Sequence, residues 1–256
     1  RYLIKIGDKF INDDQLYLKI LASIGNTKTK NIGKLDTLSP PIDSQKLWAS
    51  GVTDYMSRKG REEESQETGG SIFYTKVYDA EQPELFFKAN KNRISGADQT
   101  VRIRRDSNWN VPEPELTLFT PSNPKIVGYS IGNDMSSRDI EGQNPLYLPQ
   151  AKTYDGCASL GPCIYVPEKP LAKGLKIELR VERKGAIILS QSISTERMKR
   201  KPHELVDYLF KESSFPNGAF LMTGTGIVPP TDFTLKLGNI IKIEIEKIGT
   251  LINTAA

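Results

Sequence analysis

The segment "GLKIELRVERKGAIILSQSI", residues 174 to 193, restricts the fold more than any other part of the chain. Ile177, Leu179 and Val181 alternate with Lys176, Glu178, Arg180 and Glu182. Strand side chains point to opposite faces in turn, so this pattern packs one face and wets the other. Lys184-Gly185 breaks the alternation and "AIIL" resumes it, which predicts a hairpin. "NIIKIEIEKIG", residues 239 to 249, repeats the pattern with Ile241, Ile243 and Ile245 against Lys242, Glu244 and Glu246.

Between these segments lies one clear helix signal. "KPHELVDYLFKES" has Pro202 in a first-turn position and Leu205, Val206, Leu209 and Phe210 on one stripe, predicting a helix over 202–213. Short strands with Gly and Pro punctuation and few helices give an α+β, mainly β chain with a barrel-like or rolled sheet. The stretch to residue 41 has short apolar runs ("YLIKI", "LYLKILASI") and ends in the proline break of "LSPPID". It reads as a small N-terminal module over 1–41, with the main domain over 42–256. "SRKGREEESQETGG", residues 57 to 70, reads as a solvated loop or a charge-rich helix.

Charge and cysteine content narrow the function classes. The 35 basic and 31 acidic residues are spread without a long block of one sign, which does not indicate a nucleic-acid surface. No apolar run nears the roughly 18 residues of a membrane helix, and no signal-like leader opens the chain. The first residue is not Met, so the natural N-terminus is expected upstream. Cys157 and Cys163 are the two cysteines, too few for a disulfide framework, and read as small core residues. A soluble, cytoplasmic protein is expected.

"VPEPELTLF", residues 111 to 119, places Glu113 and Glu115 two apart in an apolar run. On a strand both carboxylates face one side, and Pro112 and Pro114 put that strand at a sheet edge or beside an opening. Downstream, "VGYSIGNDMSSRDIEG" carries Asp134 where a strand ends. Three carboxylates without His or Cys would make a hard oxygen site for Mg²⁺, Mn²⁺ or Ca²⁺.

These blocks resemble a family. "EPELTL", "GYSIGNDMSSRD", "KTYDGCASLGP", "FLMTGTGIVPP" and "LKLGNIIKIEIEKIGTLIN" follow the order and spacing of the fumarylacetoacetate hydrolase superfamily, from about residue 45 to the end. The resemblance implies a mixed β-roll catalytic domain, a homo-oligomer, and a divalent metal, Mg²⁺ first, on Glu113, Glu115 and Asp134. It also implies a small 2-oxo acid substrate, chelated through its carboxylate and keto oxygens, with a stabilised enolate at the adjacent carbon.

The hydrolases of the family carry Asn-Tyr followed by a His that activates water. Here "WASGVTDYMSRKG" has Asp54-Tyr55 and Arg58 instead, and an arginine cannot act as a general base at neutral pH. The only histidine, His203, falls at the start of the 202–213 helix and reads as structural or solvent-facing. "PELFFKAN" and "RDIEGQNPLYLPQAKTYDGCASLGP" are most similar to the dehydratase branch acting on 2-keto-3-deoxy-pentonates, D-arabinonate above all, to give 2,5-dioxopentanoate. An acylpyruvate or fumarylpyruvate hydrolase, or an oxaloacetate decarboxylase, is the alternative on the same metal.

By this resemblance Lys152 is the base for the C3 proton, its pKa lowered by partial burial and a nearby cation. Glu84 is the general acid at the C4 hydroxyl, kept protonated by Leu85, Phe86 and Phe87. Arg58, Thr223, Gly224 and Thr225 hold substrate. Lys88 either adds positive charge or makes a structural salt bridge, and Tyr147 and Tyr154 either bond substrate hydroxyls or pack at the pocket edge.

Overall fold

The computed structural model describes residues 7–25, 38–171 and 174–256. In chain order the strands are β1 (Lys46–Gly51), β2 (Glu84–Ala89), β3 (Ile94–Ser95), β4 (Gln99–Val101), β5 (Asn110–Val111), β6 (Pro114–Thr120) and β7 (Gly128–Asp134). They continue as β8 (Ser136–Ser137), β9 (Ala158–Tyr165), β10 (Lys176–Arg183), β11 (Ala186–Ser194), β12 (Ala219–Met222), β13 (Ile240–Ile245) and β14 (Gly249–Ala255). The helices are α1 (Asp8–Ile11), α2 (Leu16–Gly25), α3 (Tyr55–Glu64), α4 (Ser71–Asp79), α5 (Arg138–Gln143), α6 (Leu148–Lys152) and α7 (Pro202–Phe210).

The alternating segment forms the expected hairpin. β10 and β11 pair antiparallel with Arg183 opposite Ala186, and Lys184 (φ +53°) and Gly185 (φ +80°) take the positive φ values that a two-residue turn between right-twisted strands demands. The pair belongs to a five-stranded sheet in the order β11-β10-β13-β14-β4. A seven-stranded mixed sheet, β2-β1-β12-β6-β7-β9-β3, packs on it. Leu116 and Leu118 of β6, Ile131 and Leu221 meet Leu179, Val181, Ile243 and Leu251, with Leu205, Val206 and Leu209 of α7 completing this core. Each such side chain, once buried, stabilises the fold by roughly 2 kcal/mol.

The opposite face of the large sheet has its own apolar layer, in which Leu47, Phe119, Leu160, Phe220 and Met222 lie with Ile11, Leu16 and Ile42. Alternation along β6 therefore sends Leu116 and Leu118 to one layer and Glu115, Thr117 and Phe119 to the other side. The N-terminal segment contributes α1 and α2 over its described part; the apolar run at residues 2 to 6 lies outside the described residues.

Two expectations are corrected. β6 is not an edge strand, because β12 and β7 flank it. The prolines are tolerated because Pro114 is the strand's first residue and Pro112 lies in the break after β5. Of the two readings of residues 57 to 70, the charge-rich helix holds over 57 to 64, the body of α3: the Asp54 carboxylate accepts from Met56 N–H at 2.7 Å, and Arg58–Glu62 and Lys59–Glu63 pairs support the exposed side. Ser57, Gly60 and Arg61 form its buried side. The helix expected over 202–213 stops at Phe210, and its His203 is exposed. Among the described residues no helix is long and apolar enough to cross a membrane.

Candidate active site

The antiparallel pairing of β6 with β7 brings the three acidic residues together. Pro114 stands opposite Asn133, and just beyond it Glu113 and Asp134 exchange backbone hydrogen bonds of 3.2 and 2.9 Å. Carboxylate oxygens of Glu113, Glu115 and Asp134 consequently lie within 4.8 Å of one another, all three residues buried. Burial, then the Asp134 and Glu113 charges, hold the Glu115 carboxyl well above the ordinary carboxylate range. Burial acts the same way on Glu113, but Lys152, Arg138 and Arg61 outweigh it and hold that carboxyl well below. Like charges crowded in a dry site favour a cation among them, and an all-oxygen donor set suits Mg²⁺, Mn²⁺ or Ca²⁺. The residues fit the expected metal.

A cavity opens over the triad. Lys152, at the end of α6, reaches it and donates to Glu113 Oε2 at 2.7 Å, to Asp134 Oδ2 at 3.3 Å and to Ser136 Oγ at 2.6 Å. The expected lowering of its pKa supposes a cation on the triad; among the protein's own groups the balance runs the other way. Burial does press the Lys152 ammonium down, but Asp134, Glu113 and Glu141 together hold it above its ordinary value, against the nearby Arg61.

Glu84 opens β2 and also lines the cavity. Burial first, then the Glu141 charge, pushes its carboxyl up to about 7, with Arg61 and Lys152 opposing. Of the three apolar neighbours expected to do this, Phe86 alone lines the cavity; Leu85 packs against the core between the sheets and Phe87 edges onto the Trp48 ring at 6.1 Å. Room for the Glu84 carboxylate comes from its partner in β1, Gly51, where a Cβ would fall 2.0 Å from Glu84 Oε2.

Within "TGTG" the roles divide. Gly224 (φ +84°) donates its N–H to Glu115 Oε2 at 2.6 Å, and a Cβ there would fall 2.1 Å from Thr53 Oγ1. Thr225 lines the cavity, whereas the Thr223 hydroxyl donates to the Leu116 carbonyl at 2.9 Å inside the fold. Lys88 makes the structural salt bridge: fully buried, it lies 2.5 Å from Asp134 Oδ1 and donates to the carbonyls of Met135 (2.9 Å) and Lys152. Tyr154 donates to the Arg102 carbonyl at 3.2 Å, and neither it nor the exposed Tyr147 lines the cavity.

Arg58 is outside the cavity lining. Its guanidinium stacks on Tyr55 and Tyr78 at 4.9 and 4.8 Å. One turn on, Arg61 enters instead, with Nη2 2.6 Å from Glu113 Oε1 and Nη1 2.7 Å from Glu64 and 2.9 Å from Glu141. Arg138 joins the same network through Glu113 Oε1 at 2.7 Å and through Glu64. Sequence reasoning missed Arg61, Arg138 and Glu141. The one signal was an Arg–Glu spacing of three at 61 and 64, visible only once residues 57 to 64 are a helix.

Comparison with known proteins agrees with this geometry. Residues 63–256 match the family described as fumarylacetoacetate (FAA) hydrolase, C-terminal. The chain is 43% identical over 217 residues to 2-dehydro-3-deoxy-D-arabinonate dehydratase of Saccharolobus solfataricus, covering 84% of this chain and 73% of the relative. It is 45% identical over 215 residues to a probable 2-keto-3-deoxyxylonate dehydratase of Haloferax volcanii, with the same coverage of 84% and 73%. Among solved structures, 2-keto-3-deoxy-D-arabinonate dehydratase complexed with magnesium and 2,5-dioxopentanoate superposes with a TM-score of 0.74 at 41% identity, covering 85% of this chain and 73% of that one.

Proposed function

The chain belongs to the fumarylacetoacetate hydrolase family, and from that premise we propose that it is a Mg²⁺-dependent hydro-lyase converting a 2-keto-3-deoxy-pentonate to 2,5-dioxopentanoate. The observation that carries this reading is one cavity lined together by the carboxylate triad, Lys152 and a carboxyl poised near neutrality, Glu84. The relatives named as dehydratases, one of them complexed with magnesium and 2,5-dioxopentanoate, support it.

Glu113, Glu115 and Asp134 would hold the cation. When bound, it supplies Lewis-acid polarisation of the carboxylate and keto oxygens of the 2-oxo acid, which acidifies C3. Lys152 accepts the C3 proton. Its ammonium is held by the charges of Glu113 and Asp134, and a cation held by those carboxylates would weaken that hold and favour the neutral amine. Glu84, protonated in part at neutral pH, donates to the C4 hydroxyl, which leaves as water. The unsaturated 2-oxo acid left behind isomerises to the C5 aldehyde. Gly224 and Lys88 act as positioning groups, the first on Glu115 and the second on Asp134, and Thr225 faces the substrate. Arg58, Tyr154 and Thr223, expected at the substrate, have no such contact in this reading because none lines the cavity.

The proposal extends to a small module over 1–41 ahead of the catalytic domain, a homo-oligomer, and the cytoplasm. The free thiol of the buried Cys157 fits a reducing compartment. The exposed side chains of Ile187, Ile188 and Ile240 offer apolar surface for self-association. Replacing Glu115 by Ala is expected to abolish Mg²⁺-dependent turnover while circular dichroism stays unchanged; retained turnover would remove the triad from the mechanism.

A further inference from the structure

A 2-oxo acid with its first carboxylate at the triad must extend its tail along the rest of the cavity, and the charges there bear on which tails fit. Beyond the triad the charged lining side chains are Glu84, Glu141, Arg61 and Lys152. Both cations are already paired, Arg61 with Glu64, Glu113 and Glu141, and Lys152 with Glu113 and Asp134. Arg58, one turn back on the same helix, is turned away onto Tyr55 and Tyr78. Glu141 is 3% exposed, fixed through Oε2 by Arg61 at 2.9 Å.

We propose that Glu141, oriented by Arg61 and backed by Glu84, is the specificity determinant of the site: it accepts a hydrogen bond from a hydroxyl on the substrate tail and excludes 2-oxo acids bearing a second carboxylate. This rests on the dehydratase reading for the placement of the first carboxylate. A hydroxyl donating to a buried carboxylate makes a charge-assisted bond. A second carboxylate would lose its hydration without gaining a cation, and would face Glu141 where repulsion is poorly screened. Oxaloacetate and fumarylpyruvate, substrates of the alternative reading, both carry such a group.

The test compares two five-carbon probes on the Mg²⁺-loaded protein by calorimetry, 5-hydroxy-2-oxopentanoate and 2-oxoglutarate, which differ only in the terminal group. The wild type is expected to bind the hydroxy acid about tenfold more tightly or better. In Glu141→Gln the preference should fall to about threefold or less, chiefly through tighter 2-oxoglutarate, with Mg²⁺ affinity retained. Glu84→Gln should shift the ratio in the same direction and serves if the first variant does not fold. Equal or tighter binding of 2-oxoglutarate by the wild type, or an unchanged ratio in folded Glu141→Gln, overturns the proposal. The dehydratase reading fails separately, if the wild type forms no 2,5-dioxopentanoate while the binding preference persists.

Discussion

Arg61 Nη2 lies 2.6 Å from Glu113 Oε1, across 52 residues of chain. Arg138 Nη2 meets the same oxygen at 2.7 Å, while Lys152 takes Oε2. Two guanidinium groups thus hold one oxygen of the carboxylate and leave the other turned to the triad. Arg61 also ties helix α3 to α5, since its second nitrogen pairs with Glu141.

Removing this clamp should loosen the metal before it unfolds the protein. Arg61→Met is expected to weaken Mg²⁺ or Mn²⁺ binding by about 10- to 100-fold, as loss of a group that orients a metal ligand commonly does. Stability should drop by about 3 kcal/mol, because Glu113 keeps Arg138 but Glu141 loses its partner. Arg61→Lys should recover little, because an ammonium cannot span three carboxylates as the planar fork does. Calorimetric metal titration and thermal melts measure the two effects; a melting shift with unchanged metal affinity would make Arg61 merely structural.

Glu84 gives the pH dependence a sign. Its carboxyl, ordinarily near 4.5, is raised to about 7 in the fold, so turnover that needs the acid form should fall as pH rises through about 7. Glu84→Gln should lose that limb along with most of the rate. The folded chain binds this proton more tightly than the unfolded one, so its stability contribution is fully present below about 4.5 and lost as pH rises through about 7. Denaturant titrations of the metal-free protein should show Glu84→Gln gaining on the wild type across that window; a constant difference would contradict the raised value.

Metal binding should release a proton. The Glu115 carboxyl is held well above its ordinary range by burial and by Asp134 and Glu113, so a cation entering the triad competes with a proton for it. Calorimetry in two buffers of different ionisation enthalpy should report up to about one proton per ion, with affinity rising with pH. Buffer-independent heats would show Glu115 to be ionised beforehand.

Gly51 is expected to be intolerant for a reason outside the turn chemistry of glycine. A Cβ at this position would lie 2.0 Å from Glu84 Oε2, so Gly51→Ala must drive the Glu84 carboxylate out of its place. The variant should stay folded, because the obstacle is the end of a flexible side chain, yet lose kcat far more than KM. Wild-type kcat with a melting temperature lowered by a few degrees would mean that Glu84 relocates without consequence.

What the sequence made legible is what a local period encodes. The β10–β11 hairpin, β13 and α7 are written in alternations of two or 3.6 residues, and Glu113 and Glu115 share a face because they are two apart on an extended stretch. Neighbours in space leave no such trace. That β6 runs inside the sheet depends on β12, a hundred residues later, and the prolines that suggested an edge sit only at the strand's entry. The charges of "SRKGREEE" looked solvated because their partners, Glu113, Arg138 and Glu141, lie far along the chain. For the same reason the hold of Asp134, Glu113 and Glu141 on the Lys152 ammonium, which outweighs its burial, left no trace in the sequence.

The central claim is tested most directly by incubating the protein with 2-keto-3-deoxy-D-arabinonate and Mg²⁺, with and without chelator, and following the products by mass spectrometry. The account predicts metal-dependent loss of one water with all five carbons retained in 2,5-dioxopentanoate. Pyruvate or carbon dioxide from an acylpyruvate or oxaloacetate, with the pentonate untouched, would contradict it.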